Sequence, residues 1–478
     1  MQHDMSKKKV KGEIQMKQQS ERLGIEPIPK LLVKLSIPAM VGMFVMALYN
    51  VVDTIFIARS VGTVGVAATS VAFPVQLIIM AVAGAVGIGG ASVISRMLGA
   101  QQTEEANKVF GNVVGLVLVV SVIGAFLGIS LLEPVLILFG ANEAILPYAS
   151  DYLGIILYGT IFFAFAFTMN NIIRSEGNAK MAMSTMIISA GLNIILTPIF
   201  IFGFGWGIKG AASATVISQA VTVVYLVFYF LRGKSSLTFR VKYLRPNFSL
   251  IKQILAIGSS AFTRQVSGSI MFIIANHMLI QYGGVIGVAV FGIVHRIIMF
   301  TLMPMFGIVQ GILPIVGYNF GANQPKRVSE TIMLAMKAAT ALAIVTCIVI
   351  MIFPKQILMI FTNDPQAIEM GIVALRIMFS LAILIGVQMV TGGVFQALGK
   401  ARAALVLSMS RQVLFMIPLL LTLPLLFGVN GVWLAFPVAD VLSFALAVWY
   451  ILRNKEYFIP NKNVVDDHVK QDQVQANS

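Results

Sequence analysis

From Leu31 to Leu452 the chain is a succession of apolar runs, most of them twenty residues or longer, divided by short polar breaks. A run of that length can cross the roughly 30 Å hydrocarbon core of a bilayer as a helix. The pattern predicts twelve such helices, at 32–58, 65–95, 106–130, 145–173, 181–203, 210–232, 253–281, 287–317, 330–352, 366–397, 403–427 and 431–452. The breaks hold glycine, proline and most of the Lys and Arg. The basic residues alternate along the chain. Arg96, Lys108, Arg174, Lys180, Arg232 to Arg245, Lys326, Arg327, Lys400 and Arg402 fall in one set of connections. The other set holds Arg59, Lys209 and Lys355. The richer set, with both tails, is expected in the cytoplasm.

Composition agrees with many spans. The chain is 58% hydrophobic and 11% charged, against about 25% charged for a soluble protein, and its mean hydropathy is +0.90. The net charge of +15 orients the spans, so no nucleic-acid partner is inferred. The polar stretch Met1–Lys34 leads straight into a full-length span and has no cleavage pattern, so a removable signal peptide is not expected. Cys347 is the single cysteine, which excludes an intrachain disulfide or a cysteine metal cluster. Enzyme motifs such as HExxH and G-x-S-x-G are missing, as is the phosphate-binding G-x-x-x-x-G-K-[ST]. No enzyme activity and no cofactor are predicted, and an ion gradient is the remaining general energy source.

The chain also repeats itself. A shift of 222 aligns Gly65-Val66-Ala67 with Gly287-Val288-Ala289, Gly89 with Gly311, Gly99 with Gly321, Phe139 with Phe361 and Gly177 with Gly399. After one deletion a shift of 221 aligns Gly207 with Gly428, Gly210 with Gly431, and Leu231-Arg232 with Leu452-Arg453. Each copy holds six spans, so both enter the membrane from the same side, and the repeat axis lies along the membrane normal. The expected fold is an all-α integral membrane protein with twelve transmembrane helices in two six-helix bundles. The domain plan is a cytoplasmic tail 1–30, a first lobe 31–232, a cytoplasmic linker 233–252, a second lobe 253–453 and a tail 454–478.

An ionisable side chain inside such a span costs roughly 2.5–3.5 kcal/mol at mid-helix and usually marks a pathway. Asp53 has Tyr49, Asn50, Phe56 and Ile57 as helical neighbours, none of them basic. It lies six residues before Arg59, about 9 Å below the outer end. It either snorkels to that interface or binds a proton or cation. Asn193 and Thr197 share a face of the fifth span, and Thr215 lies on the sixth. Thr197 either satisfies the backbone freed by Pro198 or serves as a ligand. In the second half Asp440 is nearly central in its span, either paired with an arginine such as Arg411 or acting as a second proton carrier. Tyr49, Asn50, Met46, Gln265, Asn276 and Gln388 are the candidate substrate contacts.

Several stretches together resemble one family. They are "KLSIPAMVGMFVMALYNVVDTIFIA" (34–58), "GGASVISRMLGA" (89–100), "IIRSEGN" (172–178) and "NIILTPIFIFGFGWGIKGAASAT" (193–215). With them go "GIVQGILPIVGYNFGA" (307–322) and "FQALGKARAALVLSMSRQVLFMIPL" (395–419). From about residue 30 to 455 the chain resembles the multidrug and toxic compound extrusion (MATE) family, nearest its MepA-like bacterial branch. The resemblance implies alternating access of two lobes in a bacterial plasma membrane. It also implies export of small lipophilic, often cationic compounds against H⁺ or Na⁺, by a monomer whose other partner is membrane lipid. It carries the family's cation site to Asp53, Asn193, Thr197 and Thr215. Thr197 departs from the family's usual acid, which leaves one carboxylate and tilts the expectation toward H⁺; Na⁺ at the same four residues is the alternative ion. The alternative cargo is a lipid-linked precursor or other endogenous metabolite, which would favour a cleft lined by Arg264, Arg296, Arg376 and Arg411.

Overall fold

The computed structural model describes residues 20–232 and 235–458. Among the described residues there is no β-strand, and the spans are helical throughout. We label them α1 (Ile28–Val61), α2 (Thr63–Gly99), α3 (Thr103–Ser130), α4 (Leu146–Tyr158 with Thr160–Ser175), α5 (Ala179–Gly203) and α6 (Gly207–Leu231). A continuous stretch, Phe248–Gly321, runs for 74 residues and breaks at Gly284, giving α7 (248–283) and α8 (285–321). The rest are α9 (Pro325–Ile352), α10 (Pro365–Phe379 with Ile383–Ala397), α11 (Ala401–Phe427) and α12 (Val429–Arg453). The twelve expected spans are present, with ends displaced by a few residues. Two are bent within one crossing, α4 by 54° and α10 by 52°. The expected linker is shorter than its predicted bounds, because α7 starts at Phe248 with Asn247 Oδ1 accepting from Ser249 N and Leu250 N.

The internal repeat extends to backbone torsions. Gly62 between α1 and α2 (φ 75°, ψ −157°) and Gly284 between α7 and α8 (φ 62°, ψ −162°) stand 222 residues apart and take the same conformation. That region is essentially restricted to glycine. Gln101 and Asn323, also 222 apart, are the two non-glycine residues at positive φ among the described residues.

The lobes meet at one end of the bundle, the end that carries the linker. There α2 is lined by small residues, Ala81, Ala83, Gly84, Ala85, Gly87, Gly89 and Gly90, which lets backbones approach closely. The contact is two-fold symmetric. A Cβ at Gly99 would lie 1.9 Å from Tyr318 O, and one at Gly321 would lie 1.9 Å from Arg96 O. Arg96 and Tyr318 are themselves repeat equivalents. Gly89 abuts Ile254 O and Gly258 abuts Ala85 O in the same way. Ser92 Oγ adds a hydrogen bond to Gln396 O at 2.6 Å. Among the described residues every hydrogen bond between the lobes lies at this end.

Both expected tails begin as structure. Residues 20–27 fold against the lobe junction, where Leu23, 1% exposed, packs under Gly177 of the first lobe. The Leu23 carbonyl accepts from Asn319 Nδ2 (2.9 Å) and Arg327 Nη2 (3.1 Å), and the Glu26 carbonyl accepts from Arg327 at 2.7 Å. At the other terminus Phe458 is buried against Phe395. The remainder of both tails, with Gly233 and Lys234 of the linker, lies outside the described residues.

The linker is tied down by a buried acid. Glu176, in the turn after α4, accepts from Ser235 Oγ at 2.7 and 2.8 Å and from Ser236 N at 2.5 Å. No basic side chain among the described residues forms a salt bridge with it. Burial pushes its carboxyl up to about 8, with the Ser235 and Ser236 hydrogen bonds pulling the other way. The docked linker therefore holds a proton that a free carboxyl would release, so docking weakens as pH climbs from about 4.5 toward 8.

Amides of Leu237 and Thr238 should accordingly lose hydrogen-exchange protection between about pH 4.5 and 8, beyond the ordinary base dependence, and Glu176→Gln should remove that loss. At the lobe junction, Gly99→Ala and Gly321→Ala should each prop the lobes apart, raising maleimide labelling of Ser95→Cys in a Cys347→Ser background several-fold. Gly124→Ala, whose added methyl would meet nothing within 4 Å, should leave labelling unchanged.

Candidate functional site

Asp53 stands eight residues before the end of α1, about 12 Å below the end remote from the linker. Thr215 stands eight residues after the start of α6, and Asn193 and Thr197 lie at the matching depth of α5. The first lobe thus brings four separated residues to one level. All four are buried: Asp53 is 8% exposed, Thr215 6%, Asn193 2% and Thr197 0%. Pro198 closes the α-helical part of α5, and the next five residues, Ile199–Gly203, are π-helical.

These residues form one hydrogen-bonded chain. Asn193 Nδ2 donates to Thr215 Oγ1 at 2.9 Å, and Thr215 Oγ1 donates to Ala211 O at 3.1 Å. At the other end Thr197 Oγ1 lies 3.0 Å from Asn193 Oδ1 and 3.3 Å from Asp53 Oδ1. A hydroxyl has one proton, and here two acceptors compete for it. With Asp53 ionised, the Thr197 proton turns to the carboxylate and Asn193 Oδ1 loses its donor. With Asp53 protonated, the carboxyl can donate to Thr197, Thr197 to Asn193, and so on to Ala211, in one unbroken run. The geometry therefore distinguishes the two charge states of one acid.

Around this chain lie Tyr49 and Tyr152, both close enough to sense the charge of Asp53. Tyr152 on α4 also faces Gln76 on α2, Nε2 to hydroxyl at 3.5 Å. The sequence reading does not single out Tyr152 or Gln76; the available signal is an amide, Gln76, inside an otherwise apolar run. The other candidates are dispersed. Asn50 is exposed and donates to Met46 O one turn back at 2.8 Å. Gln265 and Asn276 are half-buried on α7, and Gln388 is buried on α10 in the second lobe. Asp440 is far from Asp53 in the fold, in the second lobe, where it accepts from Arg411 Nε at 2.5 Å. Arg296 and Arg376 are exposed, while Arg264 is half-buried.

A six-plus-six helical body, joined through glycine contacts at one end and holding a lone acid in a polar chain, is that of a two-lobe membrane carrier. The sequence model described as MatE matches residues 38–199 and again residues 261–422, the two copies of the repeat. The chain belongs to the MATE family, a multi-pass membrane transporter family. It is 29% identical to the multidrug export protein MepA of Staphylococcus haemolyticus over 428 residues, 89% of this chain and 94% of that one. Among solved structures it is similar to the MATE multidrug transporter DinF-BH, solved as a complex, at 54% identity and a TM-score of 0.87. That match covers 93% of this chain and 99% of the other. A multidrug resistance MATE family transporter described as outward-facing superposes with a TM-score of 0.85 at 29% identity, over 90% of this chain and 97% of that one.

Thr197→Val removes the donor from Asp53 and from Asn193 together and should destabilise the protein by roughly 1–3 kcal/mol. Thr197→Ser keeps the hydroxyl and should lie close to wild type. Thermal unfolding of the purified proteins in one detergent provides the comparison.

Proposed function

We propose that this protein exports small lipophilic, often cationic compounds in exchange for protons, with Asp53 as the coupling acid. The observation that carries the reading is the chain Asp53–Thr197–Asn193–Thr215, in which one hydroxyl proton serves two acceptors. A single carboxylate with hydroxyl and amide neighbours suits an ion that is held covalently. A hard cation such as Na⁺ prefers more oxygen ligands and more charge, and position 197 supplies a hydroxyl where the family usually has an acid.

The lobes are sealed at the linker end, so the site is approached from the opposite side. Basic connections cluster at the linker end, which supports reading it as the cytoplasmic side of a bacterial plasma membrane, with both termini there. A proton arriving from outside neutralises Asp53, redirects the Thr197 hydroxyl and lets α1 repack about Pro38, weakening the hold on a cationic substrate. Opening at the linker end then releases the proton to the cytoplasm. One proton in for one monocation out moves no net charge, so the membrane potential, worth about 2.3 kcal/mol per charge per 100 mV, contributes nothing at that stoichiometry. The protein works as a monomer in this scheme, since each lobe is complete within one chain.

Asp53→Asn should abolish efflux of a lipophilic cation such as ethidium from cells lacking their own pumps while leaving the protein in the membrane. In proteoliposomes, wild-type efflux should follow an imposed pH gradient and ignore an imposed Na⁺ gradient. Undiminished efflux by Asp53→Asn, or efflux driven by Na⁺ alone, would overturn the assignment.

A further inference from the structure

The bend in α4 leaves space inside the first lobe. The break falls at Gly159, whose bare backbone seats against α6: a Cβ there would lie 2.4 Å from a methyl of Val216. Away from that contact, between α2, α3 and α4, lies a cavity of about 290 Å³. Its walls include Val75, Ile79 and Val82 of α2, Val120 and Gly124 of α3, and Leu157 of α4. At Gly124 the space is open, since an added Cβ would meet nothing within 4 Å. Along α3 the lining runs from Val117 to Leu131, a rise of about 21 Å. That exceeds the depth of one leaflet, which is half of a hydrocarbon core of roughly 30 Å.

Close-packed interiors leave few voids larger than a water, and this one has room for several at about 30 Å³ each. Water is nonetheless a poor filler. Among the described residues no charged side chain lines the cavity. Its two hydroxyls are spent on their own helix or turn, Ser121 Oγ donating to Leu118 O at 3.0 Å and Thr160 Oγ1 to Ile156 O at 3.3 Å. A buried water needs roughly two to four polar partners. Left empty, the lining forfeits its dispersion contacts on that side. The mouth decides the occupant. Ile78, Leu127 and Leu131 line the cavity and are also exposed. Leu127 continues an exposed apolar strip along α3, formed by Val119, Val122, Ile123 and Phe126. Since α3 packs chiefly on α2 and α4 of its own lobe, that strip faces hydrocarbon in a bilayer.

We propose that this cavity binds one acyl chain of a membrane lipid, drawn from the leaflet remote from the linker and entering between Ile78 and Leu127. A slot walled by branched aliphatic side chains, with Gly124 and Gly128 on one side, takes a slender uncharged chain. Lipid is itself apolar, so the chain is retained by van der Waals contact within the slot and not by a hydrophobic gain. The headgroup stays outside, near Leu131 at the end of α3. Wall residues Val75 and Leu153 adjoin Gln76 and Tyr152, which meet at 3.5 Å, so a seated chain fills the space between the helices that carry that contact. The site stands whether or not Asp53 couples to protons.

The test is photo-cross-linking of the full-length protein in phosphatidylcholine nanodiscs doped with a phosphatidylcholine that carries a diazirine midway along one chain. Cross-linked residues are then mapped by mass spectrometry. Cross-links are expected at Ile79, Val82 and Leu157 inside the cavity, as well as at Phe126 on the outer face of α3. Gly124→Leu places a branched side chain in the open space and should lower the inner cross-links several-fold while leaving Phe126 labelled as before. Val122→Leu, on the outer face, should change neither. Labelling confined to Val119, Val122 and Phe126 means ordinary lipid contact and overturns the proposal. Equal inner labelling of wild type and Gly124→Leu overturns it as well. Should Gly124→Leu not fold, the wild-type map alone decides between inner and outer labelling. Loss of the inner cross-links on adding ethidium, with Phe126 still labelled, makes the cavity a cargo site and overturns its assignment to lipid.

Discussion

The close seating of one backbone on another, with no side chain between, is the contact on which the assembly of the two lobes rests. Gly99 under Tyr318 and Gly321 under Arg96 leave no room for a methyl group. In lipid there is no hydrophobic gain from bringing helices together, so the attraction comes from packing and from hydrogen bonds such as Ser92 to Gln396. Such contacts are short-ranged and need rigid partners. The repeat supplies them twice, related by the pseudo-two-fold axis, so the seal is symmetric although the lobes differ in chemistry.

That difference is concentrated at mid-membrane. In the first lobe the carboxylate of Asp53 has neutral neighbours, and its one described donor is shared with Asn193. In the second lobe the carboxylate of Asp440 has a guanidinium at 2.5 Å. The same low dielectric acts on both. Where no opposite charge is near, the acid is held by hydrogen bonds alone; where one is near, the ion pair holds it.

The spans are legible in the sequence because apolar length and the punctuation by glycine, proline and Lys or Arg fix helix number and direction independently of tertiary detail. The repeat is legible because glycines such as Gly99 and Gly321 are held by backbone contacts that admit no other residue. Asp53 stands out as an acid without a local partner, but its grouping with Asn193, Thr197 and Thr215 comes through family resemblance. The bend of α10 at Ser380–Ala382 carries no glycine or proline and is hidden inside an apolar run. The pairing of Asp440 with Arg411 is one of two open readings of the sequence, since spacing between helices α11 and α12 is set by packing. Residues 20–27 read as a polar tail because their partners, Gly177, Asn319 and Arg327, are far away in the chain.

That short leading segment has a mechanical consequence. It is covalently part of the first lobe through α1, yet its carbonyls are held by Asn319 and Arg327 of the second. Any swing that parts the halves on this side must break three polar ties. In such a swing the segment would act as a bolt to be withdrawn, its grip adding to the cost of separating the halves.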